Sequence, residues 1–393
     1  MVVVVLDRDS AMQSPSNPGE LAEALRDAAS NRRTITLSGN STKHRMAGPI
    51  EPADVGVSTL SLRRVIEYEP RDLTISVDAG LPWRELKLLL AAQRQMVPLD
   101  PPFSDRATVG GVIAANTNGP RRRLYGTARD LVIGMQFATL EGKLVQSGGM
   151  VVKNVAGLDM AKLMIGSFGT LAAIAVVNLK LMPVPEVERS FLLCFDGAAP
   201  AMAARNRILQ SQLQPAAIDV LNPAAGATLG NRAWLLALRA AGNAAAVERY
   251  EREFTELGDG VAYDNARQDT LWAFVENFTP EFLAIHPGGA VVRASCTLKD
   301  VESIMASFDG PAVARAGSGV CYGYFEQTDA AAAWLPQAVR RGWKAVIEYA
   351  PDRQRRTLDL WPAPGKDFGI MQRVKNLFDP SNLLNRRRLY GRI

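Results

Sequence analysis

Small residues and one hydroxyl group dominate residues 107–116, whose sequence is ATVGGVIAAN. Gly110 and Gly111 have no Cβ, so a bound group can approach the main-chain N–H groups at these positions. A segment that only packs would fill the same space with larger side chains such as Leu, Val or Phe. The segment by itself leaves two interpretations open: a ligand-binding loop, or a tight packing contact between a loop and a helix.

A second segment, residues 38–43 with the sequence SGNSTK, has the composition of an anion-binding loop. It follows residues 34–37, which predict a short strand. Small and hydroxyl-bearing residues allow successive main-chain N–H groups to point at one anion. Lys43 and Arg45 add positive charge, and no Asp or Glu interrupts the segment. We therefore predict that residues 38–43 bind the phosphate groups of a ligand.

Two common phosphate-binding patterns are missing from the sequence. Residues 38–43 do not have the G-x-x-x-x-G-K-[ST] spacing of a P-loop. No G-x-G-x-x-G lies between a predicted strand and a predicted helix. The sequence therefore does not support a kinase, an ATPase or a Rossmann dehydrogenase.

The order of these motifs resembles the FAD-binding domain of the vanillyl-alcohol oxidase family, also called the para-cresol methylhydroxylase (PCMH) type. Residues 38–43 resemble its pyrophosphate loop, with Ser38 and Asn40 in place of the commoner Arg and Gly. Further segments resemble its other flavin-binding stretches in the same order: LDPP at 99–102, ATVGG at 107–111, YGTARD at 125–130, VKNVAGLD at 152–159 and IGSFGTLAAI at 165–174. The resemblance implies FAD as the cofactor.

The resemblance also implies which residues contact the FAD, whereas it identifies no catalytic residue and no metal ligand. The expected cofactor-binding residues are Ser38, Gly39, Asn40, Ser41, Thr42, Lys43, Pro101, Pro102, Thr108, Gly110, Gly111, Ala115, Asn116, Gly119, Asp130, Gly166, Gly169 and Ile174.

The expected fold class is α+β: a PCMH-type FAD-binding domain of two α+β subdomains, with an α/β cap domain built on an antiparallel sheet. The expected domains are residues 1–185 for FAD binding, 186–365 for the cap, and a segment, 366–393, that returns to the FAD domain. The Pro-Val-Pro run at 183–185 marks the first boundary. FDPSNLLN at 378–385 resembles the family's closing segment, although Arg386 and Arg387 replace its Pro-Gly.

Hydrophobic periodicity and turn residues predict the main helices and strands. Asn17 is the expected cap of the first helix. In the FAD domain we expect helices at 18–31 and 83–94 and strands at 34–37, 65–69, 73–79, 131–140, 143–146 and 171–181. In the cap, where β-α-β patterns occur twice, we expect strands at 191–195, 234–238, 290–294, 312–316, 320–325 and 345–349 and helices at 202–212, 244–257, 298–308 and 330–341. Residues 371–389 predict a helix and an extended tail.

The composition is typical of a soluble globular protein: 393 residues, 47% hydrophobic and 22% charged. Residues 1–6 are apolar, but they are fewer than the roughly 20 needed to span a bilayer, and they lack the basic start of a secretory signal. We therefore expect a cytoplasmic protein. The net charge of +5 and the arginine clusters at 121–123, 353–356 and 386–388 are typical of a solvated surface. No nucleic-acid motif accompanies them, so we expect no nucleic-acid partner.

The three cysteines, Cys194, Cys296 and Cys321, are widely spaced, and no C-x-x-C occurs. The chain therefore offers neither an iron–sulfur cluster nor a zinc site of its own. We expect all three to be buried structural thiols. The two histidines are His44 and His286. A covalent flavin link through His44 is disfavoured, because the histidine that carries such a link in relatives directly follows a Gly-Gly pair.

The cap departs from the catalytic members of the family. By pattern, the sequence is most similar to flavin subunits of bacterial glycolate oxidase and to D-lactate dehydrogenases, which carry H-x-G-D-G-N-x-H. The matching residues 315–322 read RAGSGVCY, so Arg315 and Tyr322 replace histidines and Ser318 replaces the aspartate. A guanidinium stays charged and does not bind metal as an imidazole does.

The retained flavin motifs and the altered cap motif together resemble the accessory FAD-binding subunit of a glycolate oxidase. That resemblance implies a hetero-oligomer with a catalytic flavoprotein subunit and an iron–sulfur subunit, which oxidises glycolate, a small 2-hydroxy acid, to glyoxylate. Any membrane association would come through these partners. Two alternatives stay open: a structural subunit that FAD stabilises, and a self-sufficient dehydrogenase of another hydroxy acid or alcohol. In the latter, Arg315, Tyr322, Tyr324, Glu326 or His286 would supply the base and the carboxylate clamp.

Overall fold

The computed structural model describes residues 12–150 and 158–393. The predicted apolar start at 1–6 and most of the 152–159 motif lie outside the described residues. Contacts divide the chain into unit 1, formed by Met1–Thr117, Thr127–Val184 and Ala363–Ile393, and unit 2, formed by Asn118–Gly126 and Pro185–Pro362. The sequence placed 118–126 in the FAD-binding domain, whereas these residues group with unit 2.

Unit 1 begins with a small parallel sheet covered by one helix. Its strands lie in the spatial order Met12–Gln13, Val55–Ser58 and Ile35–Ser38. The helix Pro18–Ser30 is capped as expected, since the Asn17 side chain accepts a hydrogen bond from the Glu20 N–H at 3.0 Å. The buried stripe of this helix packs on the sheet and consists of Leu21, Ala22, Leu25 and Ala28.

The second sheet of unit 1 is antiparallel. Its five strands lie in the spatial order Val65–Glu69, Thr74–Asp78, Ala173–Lys180, Val132–Ala138 and Leu144–Gly148. The buried side chains of this sheet and of the Trp83–Ala91 and Val109–Ala115 helices form one core. The remaining elements of unit 1 are the strands Gln95–Met96 and Met182–Pro183 and the helices Ala128–Leu131, Ala161–Met164 and Phe368–Phe378.

Unit 2 is built on one antiparallel sheet of eight strands. In spatial order they are Gly260–Tyr263, Val187–Phe195, Trp234–Gly242, Ala217–Leu221, Ala312–Arg315, Val320–Phe325, Ala290–Ser295 and Lys344–Tyr349. The helical segments of unit 2 are Arg122–Tyr125, Ala198–Gln210, Pro223–Gly226, Ala227–Leu229, Ala244–Thr255, Asn265–Ile285, Leu298–Asp300, Val301–Met305, Thr328–Arg340 and Asp352–Arg355.

The sheet of unit 2 is an internal duplication. Each half runs β-α-β-β-α-β along the chain and places its strands in the spatial order fourth, first, third, second. The second strands of the halves, Ala217–Leu221 and Ala312–Arg315, pair with each other at the centre of the sheet. The expected α+β class, with a second domain built on an antiparallel sheet, is confirmed.

The sequence prediction missed two strands, one long helix and several short helical segments of unit 2. The strands Ala217–Leu221 and Gly260–Tyr263 are too short for a clear alternation of apolar and polar residues. The helix Asn265–Ile285 contains Pro280, which ordinarily ends a helix because it lacks an N–H. Within the part of the chain that the structure describes, no helix is both long and apolar enough to cross a bilayer.

Candidate functional site

An open cavity of about 1000 Å³ lies in unit 1 and gathers most of the predicted cofactor-binding residues. Those among its lining are Ser38, Gly39, Asn40, Ser41, Thr42, Lys43, Thr108, Gly110, Gly111, Ala115, Gly169 and Ile174. The lining residues that were not predicted are Thr36, Leu37, His44, Ile50, Thr59, Ala79, Ala114, Phe168, Ala172, Asn385 and Arg388. None of these described lining residues is acidic, so the cavity suits an anionic ligand.

The two glycine-containing segments that the sequence singled out meet at this cavity. The Asn40 side chain donates a hydrogen bond to the Arg106 carbonyl at 2.7 Å. A Cβ on Gly39 would lie 2.5 Å from the Thr108 hydroxyl oxygen, so only glycine allows this approach. Thr108 also caps the Val109–Ala115 helix by accepting from the Gly111 N–H at 3.2 Å. The first loop is therefore fixed against the start of the helix.

The reason given for Gly110 from the sequence is wrong, although Gly110 does line the cavity. Its N–H donates to the Ala79 carbonyl at 2.7 Å, so it is not available to a ligand. A Cβ at Gly110 would lie 2.7 Å from the Ala79 Cβ. Gly110 thus serves the close packing of the helix against the end of the Thr74–Asp78 strand, which was the packing alternative.

Lys43 is a buried cation without a carboxylate partner among the described residues. Its side chain is only 8% exposed, and its Nζ lies 3.4 Å from the Thr42 hydroxyl. Burial lowers the pKa of Lys43 to about 7, because the charged ammonium loses its hydration. A buried ammonium is costly unless a negative group accompanies it. Lys43 therefore fits an anion such as the diphosphate of a dinucleotide.

The opposite part of the lining comes from residues 168–174 and from the C-terminal segment. The Arg388 guanidinium lies 5.4 Å from the centre of the Phe168 ring and donates to the Gly48 carbonyl. Phe168 has a φ of 52°, which is unusual for a bulky residue and indicates that its surroundings hold it in place. His44 also faces the cavity, and its Nδ1 lies 3.0 Å from the Ser41 carbonyl oxygen.

Asn385 ties the C-terminal segment to the first loop. Its side-chain oxygen accepts from the Leu37 N–H at 2.8 Å, and its amide nitrogen donates to the Phe168 carbonyl at 2.8 Å. The Asn385 N–H also donates to the Ile35 carbonyl at 3.0 Å, as in a further parallel strand. Sequence reasoning recognised the 378–385 motif but did not assign Asn385 to the site, although the motif's asparagine was the available signal.

Several predicted site residues do not line the cavity. Asp130 caps its own helix, since its carboxylate accepts from the Thr127 N–H at 2.7 Å. Asn116 ends the Val109–Ala115 helix in a left-handed conformation, and the Gly166 N–H donates to the Ile113 carbonyl at 3.2 Å. Also outside the lining are Pro101 and Pro102 of unit 1 and Gly119, which belongs to unit 2.

Two family models match parts of this chain. The family model described as "FAD binding domain" matches residues 10–148, and "FAD linked oxidases, C-terminal domain" matches residues 363–389. The two matches contain the 38–43 loop, the glycine-containing helix start and Asn385 of the cavity. The chain therefore contains an FAD-binding domain and a C-terminal segment similar to that of FAD-linked oxidases. Its cofactor is FAD.

Two curated relatives and one solved structure are similar to this chain. The "Glycolate oxidase subunit GlcE" of Escherichia coli (strain K12) is 32% identical over 202 residues, 51% of this chain and 56% of the relative. The "Glycolate oxidase subunit GlcD" of Bacillus subtilis (strain 168) is 28% identical over 214 residues, 54% of this chain and 45% of the relative. The chain thus matches about half the length of these relatives.

The solved structure of 4-ethylphenol oxidase from Gulosibacter chungangensis has a TM-score of 0.72 and 13% identity. The similarity covers 97% of this chain and 89% of that protein, and it shows a shared fold.

In unit 2, Arg315 and Tyr322 of the 315–322 segment belong to a polar cluster instead of a histidine site. Arg315 makes a buried ion pair with Asp219, and its guanidinium lies 5.7 Å from the centre of the Tyr322 ring. The Arg293 Nε donates to Glu348 at 2.7 Å, and burial raises the pKa of that carboxyl. Among the described residues, no group of three or more His, Cys, Asp or Glu side chains is arranged to hold a metal ion.

The other candidates of unit 2 have structural contacts. The Tyr324 hydroxyl is 2.9 Å from the Thr279 hydroxyl, and His286 packs with its ring centre 4.6 Å from that of Phe282. Glu326 is exposed. Of the proposed clamp and base residues, Arg315 and Tyr324 are therefore already engaged within the unit.

Proposed function

We propose that this chain is the FAD-binding subunit of a complex that oxidises glycolate to glyoxylate. A catalytic flavoprotein subunit and an iron–sulfur subunit would complete the complex and receive the electrons. The observation that carries this proposal is a cationic, acid-free FAD cavity around Lys43, combined with a cap in which Arg315 and Tyr322 occupy the histidine positions. We propose a cytoplasmic location, with membrane association only through the partners.

We propose that the residues lining the cavity hold the FAD. Lys43 and Arg388 would neutralise its negative charge, and the hydroxyl groups of Ser38, Ser41 and Thr42 would donate to the phosphate oxygens. Bound FAD supplies a hydride acceptor, which no side chain provides. Asn385 and Thr108 do not need to touch the cofactor, because they position the loops that do.

The test separates cofactor binding from turnover. The chain is purified alone and after co-expression with a candidate flavoprotein and an iron–sulfur protein, and glycolate-dependent dye reduction is measured in both samples. We expect a yellow protein that turns over glycolate only in the complex. Robust turnover by the isolated chain would contradict the accessory role, and a colourless protein that takes up no added FAD would contradict the site.

A second candidate function is a self-sufficient dehydrogenase of a hydroxy acid or alcohol. The polar cluster in unit 2 favours it, because Tyr322 pairs in register with Arg293, which is bonded to Glu348 with its raised pKa. A cation and a carboxylate whose pKa burial raises could bind and deprotonate such a substrate. Anaerobic bleaching of the flavin in the isolated chain by a 2-hydroxy acid would favour this function over the first.

The third alternative is a subunit in which FAD only stabilises the fold. It predicts that a complex reconstituted with the FAD-depleted form of this chain still assembles and turns over glycolate at the normal rate. Loss of turnover in an assembled complex would exclude it.

A further inference from the structure

Two of the three cysteines lie side by side on the sheet of unit 2. Cys321 is paired in register with Ala294. Cys296 follows the same strand, and its N–H donates to the Gly319 carbonyl at 2.8 Å, which continues the ladder. Residues two apart share a face of a sheet, so Cys296 and Cys321 are diagonal neighbours on one face. The Cys296 Sγ lies 3.5 Å from the Gly319 carbonyl oxygen, and the two thiols are close enough to shift each other's pKa.

The two thiols differ in their access to solvent. Cys321 is fully buried in the core of unit 2, whereas Cys296 is half-buried next to the exposed Thr297. The expectation of three buried thiols is therefore wrong for Cys296, and also for Cys194, which is half-buried. Only Cys296 of the pair offers a route for a small reagent from solvent.

A buried arginine faces the pair from the Ala198–Gln210 helix. Arg205 is 2% exposed, and its Nη1 donates to the Ala316 carbonyl at 3.2 Å. Among the described residues it makes no ion pair within 4.0 Å, and the charges that act on it are those of Cys321, Cys296 and Glu302. A buried cation without an ion-pair partner within 4.0 Å, beside two thiols, favours a thiolate there.

The two thiols have opposite pKa shifts. The neighbouring Cys321 thiol lowers the pKa of Cys296, and Arg205 acts in the same direction against the charge of Asp300. The neighbouring Cys296 thiol, together with burial, raises the pKa of Cys321 well above its usual value. Cys296 is therefore both the more accessible sulfur and the one that more readily forms a thiolate.

We propose that Cys296 and Cys321 are a dithiol that hydrogen peroxide oxidises to an intramolecular disulfide. The Cys296 thiolate attacks one peroxide oxygen, the O–O bond breaks, and the products are a Cys296 sulfenic acid and, after protonation, water. The Cys321 sulfur then attacks the Cys296 sulfur, the S–O bond breaks, and the hydroxide leaves with the Cys321 proton as a second water. In sum, two thiols and one peroxide give one disulfide and two waters.

The bridge requires a small movement at the end of the strand. Diagonal Cα atoms in an antiparallel pair lie about 7–8 Å apart, and a disulfide needs less than about 7 Å, so Cys296 has to approach Cys321 by on the order of 1 Å. Cys296 is at the junction between the Ala290–Ser295 strand and the Leu298–Asp300 turn, where one end of the segment can shift. The bridge would span the Gly319 turn, which belongs to the altered motif at 315–322.

The experiment treats the full-length chain with hydrogen peroxide and measures free thiols and intact mass. We expect the loss of two of the three thiols, a mass lower by two hydrogen atoms, a cross-linked peptide that joins Cys296 to Cys321, and full recovery with dithiothreitol. Cys194→Ser is the matched control and is expected to form the same bridge. Three remaining free thiols, or a bridge that involves Cys194, would overturn the proposal.

Three variants test the assignment of roles, and each first has to show the wild-type circular dichroism. In Cys321→Ser, a dimedone adduct is expected on Cys296, because the sulfenic acid has no resolving thiol. In Cys296→Ser, Cys321 is expected to stay reduced. Arg205→Lys keeps the charge and is expected to react faster than Arg205→Met. A dimedone adduct on Cys321 in Cys296→Ser, or equal rates in the two Arg205 variants, would contradict the mechanism.

Discussion

Lys43 is the residue on which affinity for FAD depends most directly. Because burial holds its pKa at about 7, Lys43 is charged below this pH and increasingly neutral above it. A bound diphosphate raises that pKa, so binding takes up a proton at pH values between the free and the bound pKa. We expect the FAD dissociation constant to be flat below pH 7 and to rise by up to about tenfold per pH unit above it.

Two variants isolate the contribution of Lys43, measured by fluorescence titration of FAD from pH 6 to pH 9. Lys43→Arg keeps its charge, so we expect little pH dependence in this range. Lys43→Met lacks the charge-assisted bond, so we expect affinity about 10- to 100-fold weaker at pH 6 and no slope attributable to this site. An identical slope in wild type and Lys43→Met would assign the pH dependence to another group.

Burial of Lys43 also makes the stability of the FAD-free protein depend on pH. This dependence is opposite in direction to that of the affinity for FAD. A lysine with a depressed folded pKa binds fewer protons when folded than when unfolded between pH 7 and its usual pKa, so stability rises with pH in that range. We expect Lys43→Met to raise the free energy of unfolding of the FAD-free protein by about 1–2 kcal/mol at pH 7, measured in urea. A loss of stability in the FAD-free variant would show that burial of the Lys43 ammonium does not destabilise the FAD-free protein.

A substitution at Gly110 tests its role in packing the Val109–Ala115 helix against Ala79. A Cβ there would lie 3.0 Å from the Ala79 carbonyl as well as 2.7 Å from its Cβ, and neither backbone can move freely. We expect Gly110→Ala to lower the free energy of unfolding by about 1–3 kcal/mol, measured in urea. The neighbouring Gly111→Ala is the control, because its Cβ would meet only the Thr108 hydroxyl, and it should cost less. Equal costs would contradict the packing role.

At the scale of elements, a buried lysine fixes the C-terminal segment to unit 1. The Lys375 Nζ contacts Asp379 at 2.6 Å and donates to the carbonyls of Thr170 at 2.8 Å and Leu384 at 3.1 Å. Lys375→Met would leave the buried Asp379 carboxylate without its cation, at a cost of about 3–5 kcal/mol. We expect urea unfolding to show this loss of stability. We also expect weaker FAD binding, because Asn385, which lines the cavity, lies in the same C-terminal segment.

The exposed pair of Arg249 and Glu253 gives the matched control for that prediction. Arg249→Met should change the free energy of unfolding by less than about 1 kcal/mol. Comparable effects of the two substitutions would contradict a special role of Lys375 in the docking of the segment.

The sequence was sufficient for the elements with strong local signals and for the FAD-binding domain. Asn17 and Glu20 predicted a capped helix that is present, and most of the residues predicted from the loop motifs line one cavity. It was not sufficient where a residue's role depends on distant partners. Gly110 faces Ala79, and Asn385 bonds to Leu37, which lies far away along the chain. Neither contact can be inferred from the spacing of neighbouring residues in the sequence.

At the scale of the whole molecule, FAD should stabilise and protect unit 1 selectively. Ligand at a hundredfold excess over its dissociation constant adds about 2.7 kcal/mol to the stability of the state that binds it. In hydrogen exchange, we expect FAD to slow the amides of residues 36–44, 108–115 and 385–388. The strand Trp234–Gly242, which has no residue in the cavity lining, is the internal control and should exchange unchanged. Uniform slowing of both regions would contradict a local site.

The residues that form the cavity lie far apart in the sequence. This separation limits the stage of synthesis at which FAD can bind. Leu37 and Asn385, whose bond closes one side of the cavity, are 348 positions apart. A ribosome must therefore synthesise nearly the whole described sequence before this wall can exist, and loop closure over such a distance is slow. Flavin loading is consequently a late event in biogenesis, and nascent chains stalled before Asn385 should emerge colourless.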